Sequence, residues 1–187
     1  IGLADNDKVD LSNLHRQIIF SLKDIGSYKV SKAKKFISAV NSDINVIPYK
    51  QKVDLLNVDK IISKYDIIVD CTDNHSSKLI INDACYRRKK TLVSASVSGF
   101  FGQVSTFKSF KIDDTGIPYP SYRCLKINQN NEDDCEHLGV LGPIAGVLGS
   151  IQATEVIKQI LDEKENLLGQ LLIFDGLSYR MKLIKIN

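Results

Sequence analysis

The run Asp66-Ile67-Ile68-Val69-Asp70-Cys71 constrains the fold of this chain more than any other stretch. A β-branched run of this kind, closed by the polar cluster Thr72-Asp73-Asn74, has the pattern of a buried parallel strand. Parallel strands are joined by crossovers and covered on both faces, so helices are expected on either side of this one. Leu55 to Lys64 reads as a short helix with Leu56, Ile61 and Ile62 as apolar contacts, and Ser76 to Arg87 reads as another. Thr91 to Val97 is the next strand, and alternation from Gly102 to Phe107 predicts an antiparallel continuation. The expected fold class is therefore α/β, with a mixed sheet.

Carboxylates stand where such a sheet binds ligands. Ile1-Gly2-Leu3-Ala4 reads as the end of a buried strand, and Asp5 is the first charge after it. A carboxylate at the carboxyl end of a parallel strand is where doubly wound folds hold the ribose hydroxyls of a nucleotide. Asp73 is predicted at the same edge. The alternative for Asp73 is the N-cap of the helix that follows, a place Asp favours. After Asp5, residues Asn13, Arg16 and Gln17 share one face if the segment turns as a short helix. Arg16 adds a forked, permanently charged donor set suited to phosphate oxygens. The alternative is a solvated polar turn.

Elsewhere, Gly26 to Val40 is predicted as an amphipathic helix with Val30, Ala33, Phe36, Ile37 and Val40 inward and Lys29 in its first turn. Ile44 to Val53 has strand character broken by Pro48. Residues 112–138 lack sustained periodicity and are expected to form a long mobile loop, which in a compact domain is usually functional or disordered. Pro143 then opens a helix, along which Gly146, Gly149, Ser150 and Ala153 form a stripe of small residues. Leu171 to Phe174 and Met181 to Ile186 read as a closing pair of strands.

Composition removes several classes. With 187 residues, 43% of them hydrophobic, disorder and repeats are excluded, and one domain spanning 1–187 is expected. The net charge of +3 is small and the basic residues are spread out, so no nucleic-acid footprint is present. Residues 138–154 are uncharged, but they carry several glycines and Pro143 and sit at the short limit for spanning a bilayer, so a buried soluble helix is expected and no membrane partner. Four cysteines form no CxxC pair, which points to a reducing, cytoplasmic setting. The sequence opens on Ile1 in mid-strand, so an amino-terminal βα segment is expected upstream.

Taken together, Asp5-Asn6-Asp7-Lys8-Val9-Asp10 with Ser12-Asn13-Leu14-His15-Arg16-Gln17, then Lys29, Asp70-Cys71-Thr72-Asp73-Asn74 and Gly139-Val140-Leu141-Gly142-Pro143, resemble the ThiF/MoeB superfamily, which includes the adenylation domains of ubiquitin-activating enzymes. The resemblance runs over nearly the whole chain, in order. It implies a Rossmann-like sheet, mostly parallel with an antiparallel continuation and helices on both faces. It implies ATP bound through Asp5 at the ribose and through Asn13, Arg16, Gln17 and Lys29 at the phosphates, with Asp73 holding magnesium. The implied activity is adenylation of the C-terminal glycine of a small ubiquitin-like protein ending in Gly-Gly, by a homodimer; the alternative is a catalytically silent partner subunit in a heterodimeric activating enzyme. Some relatives carry a cysteine near Cys135 that attacks the acyl adenylate or joins a sulfur carrier, which makes Cys135 a candidate nucleophile in a crossover-type loop. The chain departs from the superfamily pattern at four places, the first being a further arginine that family members often take from the partner subunit's amino-terminal region and that is absent from this sequence. The glycine-rich phosphate loop would precede Ile1. The first zinc-binding CxxC reads Ser121-Tyr122-Arg123-Cys124, which leaves zinc doubtful. Lys78 stands where relatives often have Arg.

Overall fold

The computed structural model describes residues 1–125 and 139–186, in two compact units, Ile1–Asp54 and Leu55–Asn187. In the first, β1 (Gly2–Ala4) pairs in parallel with β2 (Ile47–Tyr49), and α1 (Lys29–Val40) lies between them in sequence. The strand expected over 44–53 contracts to three residues. Pro48, opposite Leu3, has no N–H for a ladder and is tolerated where only one neighbour is paired. Val9, Val30, Ala33 and Val46 are buried, whereas Phe36 and Val40, expected inward, are exposed. Between β1 and α1 the chain makes two 3-10 turns, Leu11–Asn13 and Leu22–Asp24. The Asp10 carboxylate starts the first by accepting from the Ser12 amide at 2.8 Å and its hydroxyl at 2.6 Å. Those bonds hold the Asp10 carboxyl below its ordinary range.

The second unit is built on a five-stranded sheet in the order β3 (Ile67–Asp70), β4 (Thr91–Ser98), β5 (Phe101–Phe107), β6 (Gln170–Asp175), β7 (Arg180–Lys185). The β3–β4 pair is parallel and the other three are antiparallel. The sheet is mixed, as expected for an α/β fold, but among the described pairs the antiparallel continuation is the larger share. The cause is local: β4 and β5 are joined by two residues, Gly99 and Phe100, with Gly99 at a φ of 54°, and so short a link only permits a hairpin.

Among the described residues three helices accompany this sheet: α2 (Val58–Ile62), α3 (His75–Arg88) and α4 (Gly142–Leu161). In α2, Ile61 and Ile62 are buried, but Leu56, expected as a core contact, is 96% exposed because the helix starts two residues beyond it. Pro143 lies in the first turn of α4, where a missing N–H costs nothing. Ile144 and Leu148 of α4 pack with Val93, Val104, Leu167 and Phe174 to form the core. A Cβ on Gly102 would lie 2.6 Å from Leu148 Cγ, so the absence of a side chain there lets α4 sit close on β5. The stripe of Gly146, Gly149 and Ala153 faces away from this core, and a Cβ on either glycine would meet open space among the described residues. Among the described residues no helix is long and apolar enough to cross a membrane.

The first half of the expected mobile loop is anchored. Asp113 accepts from the Thr115 and Ile117 amides, each at 2.9 Å, and Arg123 forms a two-pronged ion pair with Asp83 at 2.9 and 2.6 Å. Tyr122 is buried edge-on against Phe107, and its amide donates to Asn82 Oδ1 at 3.0 Å. These side-chain bonds to α3 supply order that no periodicity announces. Residues 126–138, including Cys135, lie outside the described residues.

Candidate functional site

The first unit gathers the carboxylate and cationic positions singled out near the amino terminus. Asp5 follows β1, its amide donating to Tyr49 O at 3.1 Å, and its Oδ1 accepts from the Asp7 amide at 2.7 Å. Asp7 in turn engages Lys29 twice: its carbonyl accepts from the Lys29 amide at 3.0 Å and its Oδ2 from Lys29 Nζ at 2.9 Å. Asp5, Asp7 and Lys29 therefore form one linked chain, with Lys29 at the first residue of α1. Sequence reasoning places Asp5 and Lys29 and misses Asp7, although its position two residues after Asp5 is a signal for such a turn.

Asn13, Arg16 and Gln17 do lie on one short turn, since the amides of Arg16 and Gln17 both donate to Asn13 O, at 3.1 and 2.9 Å. The solvated-turn alternative is only partly met, because all three are half-buried. Arg16 Nη1 donates to Ser12 O at 3.2 Å and lies 3.4 Å from His15 Nε2, which leaves most of its donors for another acceptor. The Gln17 Oε1 atom is buried and has no hydrogen-bond partner among the described residues. That oxygen is an acceptor that phosphate oxygens cannot satisfy, so any phosphate contact at Gln17 comes from Nε2.

In the second unit the structure separates two readings of the turn after β3. The N-cap of α3 is Asn74, whose Oδ1 accepts from the Ser77 amide at 2.8 Å; Asp73 does not cap it. Asp73 is exposed, and among the described residues its carboxylate accepts only a 3.3 Å bond, at Oδ1 from Asn74 Nδ2. A free carboxylate at the carboxyl end of a parallel strand fits magnesium, which takes one or two protein carboxylates and fills its other positions with water and substrate phosphates. Among the described residues no cluster of three or more His, Cys, Asp or Glu offers a dedicated metal cage. At the Ser121–Cys124 turn, where the resemblance implies a zinc-binding pair, Cys124 Sγ accepts from the Ser121 amide at 3.4 Å.

Behind Asp73 lies a buried polar cluster. Asp70 Oδ2 accepts from Lys78 Nζ at 2.9 Å and Ser94 Oγ at 2.7 Å, and its Oδ1 accepts from the Thr72 amide at 2.9 Å and hydroxyl at 2.7 Å. Gln152 of α4 donates to Asp70 O and Val93 O at 2.9 and 3.0 Å and accepts from Cys71 Sγ at 3.3 Å. Desolvation of the thiol, with the Asp70 charge adding to it and Lys78 and the Gln152 bond opposing, pushes the Cys71 thiol up, although the residue as a whole is exposed. Sequence reasoning assigns no role to Asp70, Thr72, Ser94 or Gln152. The only signal is a carboxylate ending an apolar run, four residues ahead of the α3 N-cap. A broad groove of about 1090 Å³ elsewhere in this unit, between α3 and the 109–124 segment, contains none of the anticipated residues.

Comparison with known proteins gives one consistent result. The ThiF family pattern matches residues 1–187. The chain is 39% identical over 187 residues to a probable molybdopterin-synthase adenylyltransferase of Porphyra purpurea, covering all of this chain and 48% of that protein. It is 40% identical over 191 residues to the adenylyltransferase and sulfurtransferase MOCS3 of Dictyostelium discoideum, covering all of this chain and 43% of that protein. The chain thus spans about half the length of the curated relatives it matches. Escherichia coli MccB, solved with ATP, superposes with a TM-score of 0.81 at 21% identity, over all of this chain and 56% of MccB. That likeness establishes the Rossmann-like mixed α/β fold.

Proposed function

Since this chain belongs to the ThiF family, we propose that it carries the adenylation centre of an enzyme that uses ATP to activate the C-terminal glycine carboxylate of a small ubiquitin-like protein. The observation that carries this reading is the linked set Asp5–Asp7–Lys29, followed on the same unit by the half-buried Asn13, Arg16 and Gln17. Relatives of 39–40% identity bear the name adenylyltransferase, and a fold neighbour was solved with ATP, which agrees with ATP as the substrate.

In this reading Asp5 accepts hydrogen bonds from the ribose through Oδ2, since the Asp7 amide already holds Oδ1 and fixes the plane of the carboxylate. Arg16 places a permanent positive charge against the triphosphate; Lys29, held by Asp7 through one of its three N–H groups, offers the other two, and Asn13 and Gln17 add neutral donors. A glycine carboxylate is ionised at pH 7 and needs no general base. Its difficulty is like-charge repulsion as it nears the α-phosphorus, which fixed cations offset. One carboxylate oxygen forms a bond to the α-phosphorus, the bond between that phosphorus and the bridging oxygen to the β-phosphate breaks, and pyrophosphate leaves with the electron pair. The attack is in line, so holding both ends of ATP still carries much of the rate. Asp73 is the residue that would hold magnesium, which supplies charge neutralisation on the phosphates.

The competing role, a silent partner subunit, gains nothing from these residues, because such a subunit has no use for Arg16, Lys29 and Asp73 together. A homodimer, and sulfur transfer or thioester formation after adenylation, belong to the same proposal. The test is pyrophosphate exchange dependent on the ubiquitin-like partner: Asp73→Ala is expected to abolish it, and wild-type exchange in that variant would defeat the assignment.

A further inference from the structure

Asp70 and Lys78 are 1% and 4% exposed, and both oxygens of the carboxylate are fully used. Lys78 Nζ also donates to Ala95 O at 2.8 Å, so the ammonium ties the first turn of α3 to both β3 and β4. Taking two charges out of water carries a heavy desolvation penalty, and an apolar pair of the same volume commonly closes a core as well or better. Core stability alone is therefore a weak reason for this pair.

What the pair supplies is direction. Thr72 is held to Asp70 by two bonds, and Asn74 is held by the Ser77 amide that it caps. Asp73 stands between these two anchors with its own carboxylate exposed. If Asp70 turned away, Thr72 would lose its backbone and side-chain bonds together, and the turn carrying Asp73 would be anchored on one side only. The orientation of Asp70 depends in turn on the Lys78 ammonium and the Ser94 hydroxyl at its other oxygen.

We propose that Lys78 is a positioning residue for adenylation, acting through Asp70 to hold the Thr72-Asp73-Asn74 turn in the geometry from which Asp73 works. It touches neither ATP nor the acyl group. The inference rests on the role given to Asp73 above, and the experiment separates the two.

The test compares Lys78→Met, Lys78→Arg and Thr72→Val with the wild-type protein, at a temperature where each is fully folded. Two readouts are taken: amide hydrogen exchange at Thr72 and Asp73 without nucleotide, and the kcat and KM for ATP in pyrophosphate exchange. Lys78→Met is expected to speed exchange at residues 72 and 73 selectively and to lower kcat about 10- to 100-fold, as loss of an orienting partner typically does, with KM for ATP little changed. Lys78→Arg keeps the charge and is expected to restore most of both. Thr72→Val leaves the buried pair intact and removes only its hydroxyl bond to the turn; it is expected to lower kcat in the same direction, and it keeps the test open if Lys78→Met does not fold. Unaltered local exchange, or wild-type kcat in folded Lys78→Met or in Thr72→Val, would overturn the proposal. If Asp73→Ala is inactive while these variants are normal, only the positioning role falls; if Asp73→Ala is active, the reading beneath it falls.

Discussion

Replacing Gly102 by Ala tests the seating of α4 on β5. The new methyl carbon would stand 2.6, 2.9 and 3.1 Å from Leu148 Cγ, Cδ2 and Cδ1, whereas carbon atoms in contact prefer about 3.5–4.0 Å. Leu148 is 1% exposed and enclosed by Val93, Val104, Ile144 and Phe174, so it has nowhere to retreat and the helix or the strand must shift. Overpacking of this kind costs about 1–3 kcal/mol, and alanine recovers about 0.4–1 kcal/mol by restricting the unfolded chain, leaving a net loss of roughly 1–2 kcal/mol. Leu148→Ala alone should cost about 2–5 kcal/mol through its cavity. In the double variant the methyl group added at position 102 occupies space that the leucine side chain has vacated, so its cost should fall short of the sum of the single costs by about 2 kcal/mol. Urea unfolding of the four proteins, read at the midpoint with slopes unchanged, gives the coupling. Additivity within about 0.5 kcal/mol, or a Gly102→Ala protein as stable as wild type, would refute the argument.

Burial, with the Asp70 charge adding to it, pushes the Cys85 thiol from 9.0 up to about 12. The unfolded thiol ionises first, so the contribution of Cys85 is intact below about pH 9 and is lost as pH rises towards 12, at about 1.4 kcal/mol per unit; chemical denaturation at about pH 8 to 11 should show that slope reduced in Cys85→Ala, and an equal slope would place the thiol in water. Arg16→Ala and Lys29→Ala should each lower kcat/KM for ATP by removing charge that faces the phosphates, whereas Asp5→Ala should mainly raise KM; an unchanged KM in Asp5→Ala would remove the ribose role. Cys135→Ala should leave pyrophosphate exchange intact and block only transfer downstream of the adenylate, and loss of exchange would mean that the 112–138 segment serves adenylation itself.

Much of the architecture is legible in the chain. Period and composition mark the strand at 67–70, the helix opened by Pro143 and the closing hairpin, because burial of one face imposes a spacing on apolar residues that survives in the sequence. The ends of strands, where charge first follows an apolar run, likewise point to Asp5 and Asp73. Tertiary structure alone decides matters that depend on a residue distant in sequence or on a choice between neighbours. Asp73 is released from capping because Asn74 takes the Ser77 amide, and one position either way looks the same in the sequence. The order of residues 112–125 comes from Tyr122 and Arg123 meeting Asn82 and Asp83, forty residues earlier. Above all, nothing in the linear sequence pairs Asp70 with Lys78, since buried charges are rare and only folding could bring Ser94, Thr72 and Ala95 around them. Periodicity records which face a side chain takes, whereas the partner it meets there is set by pairing across the fold.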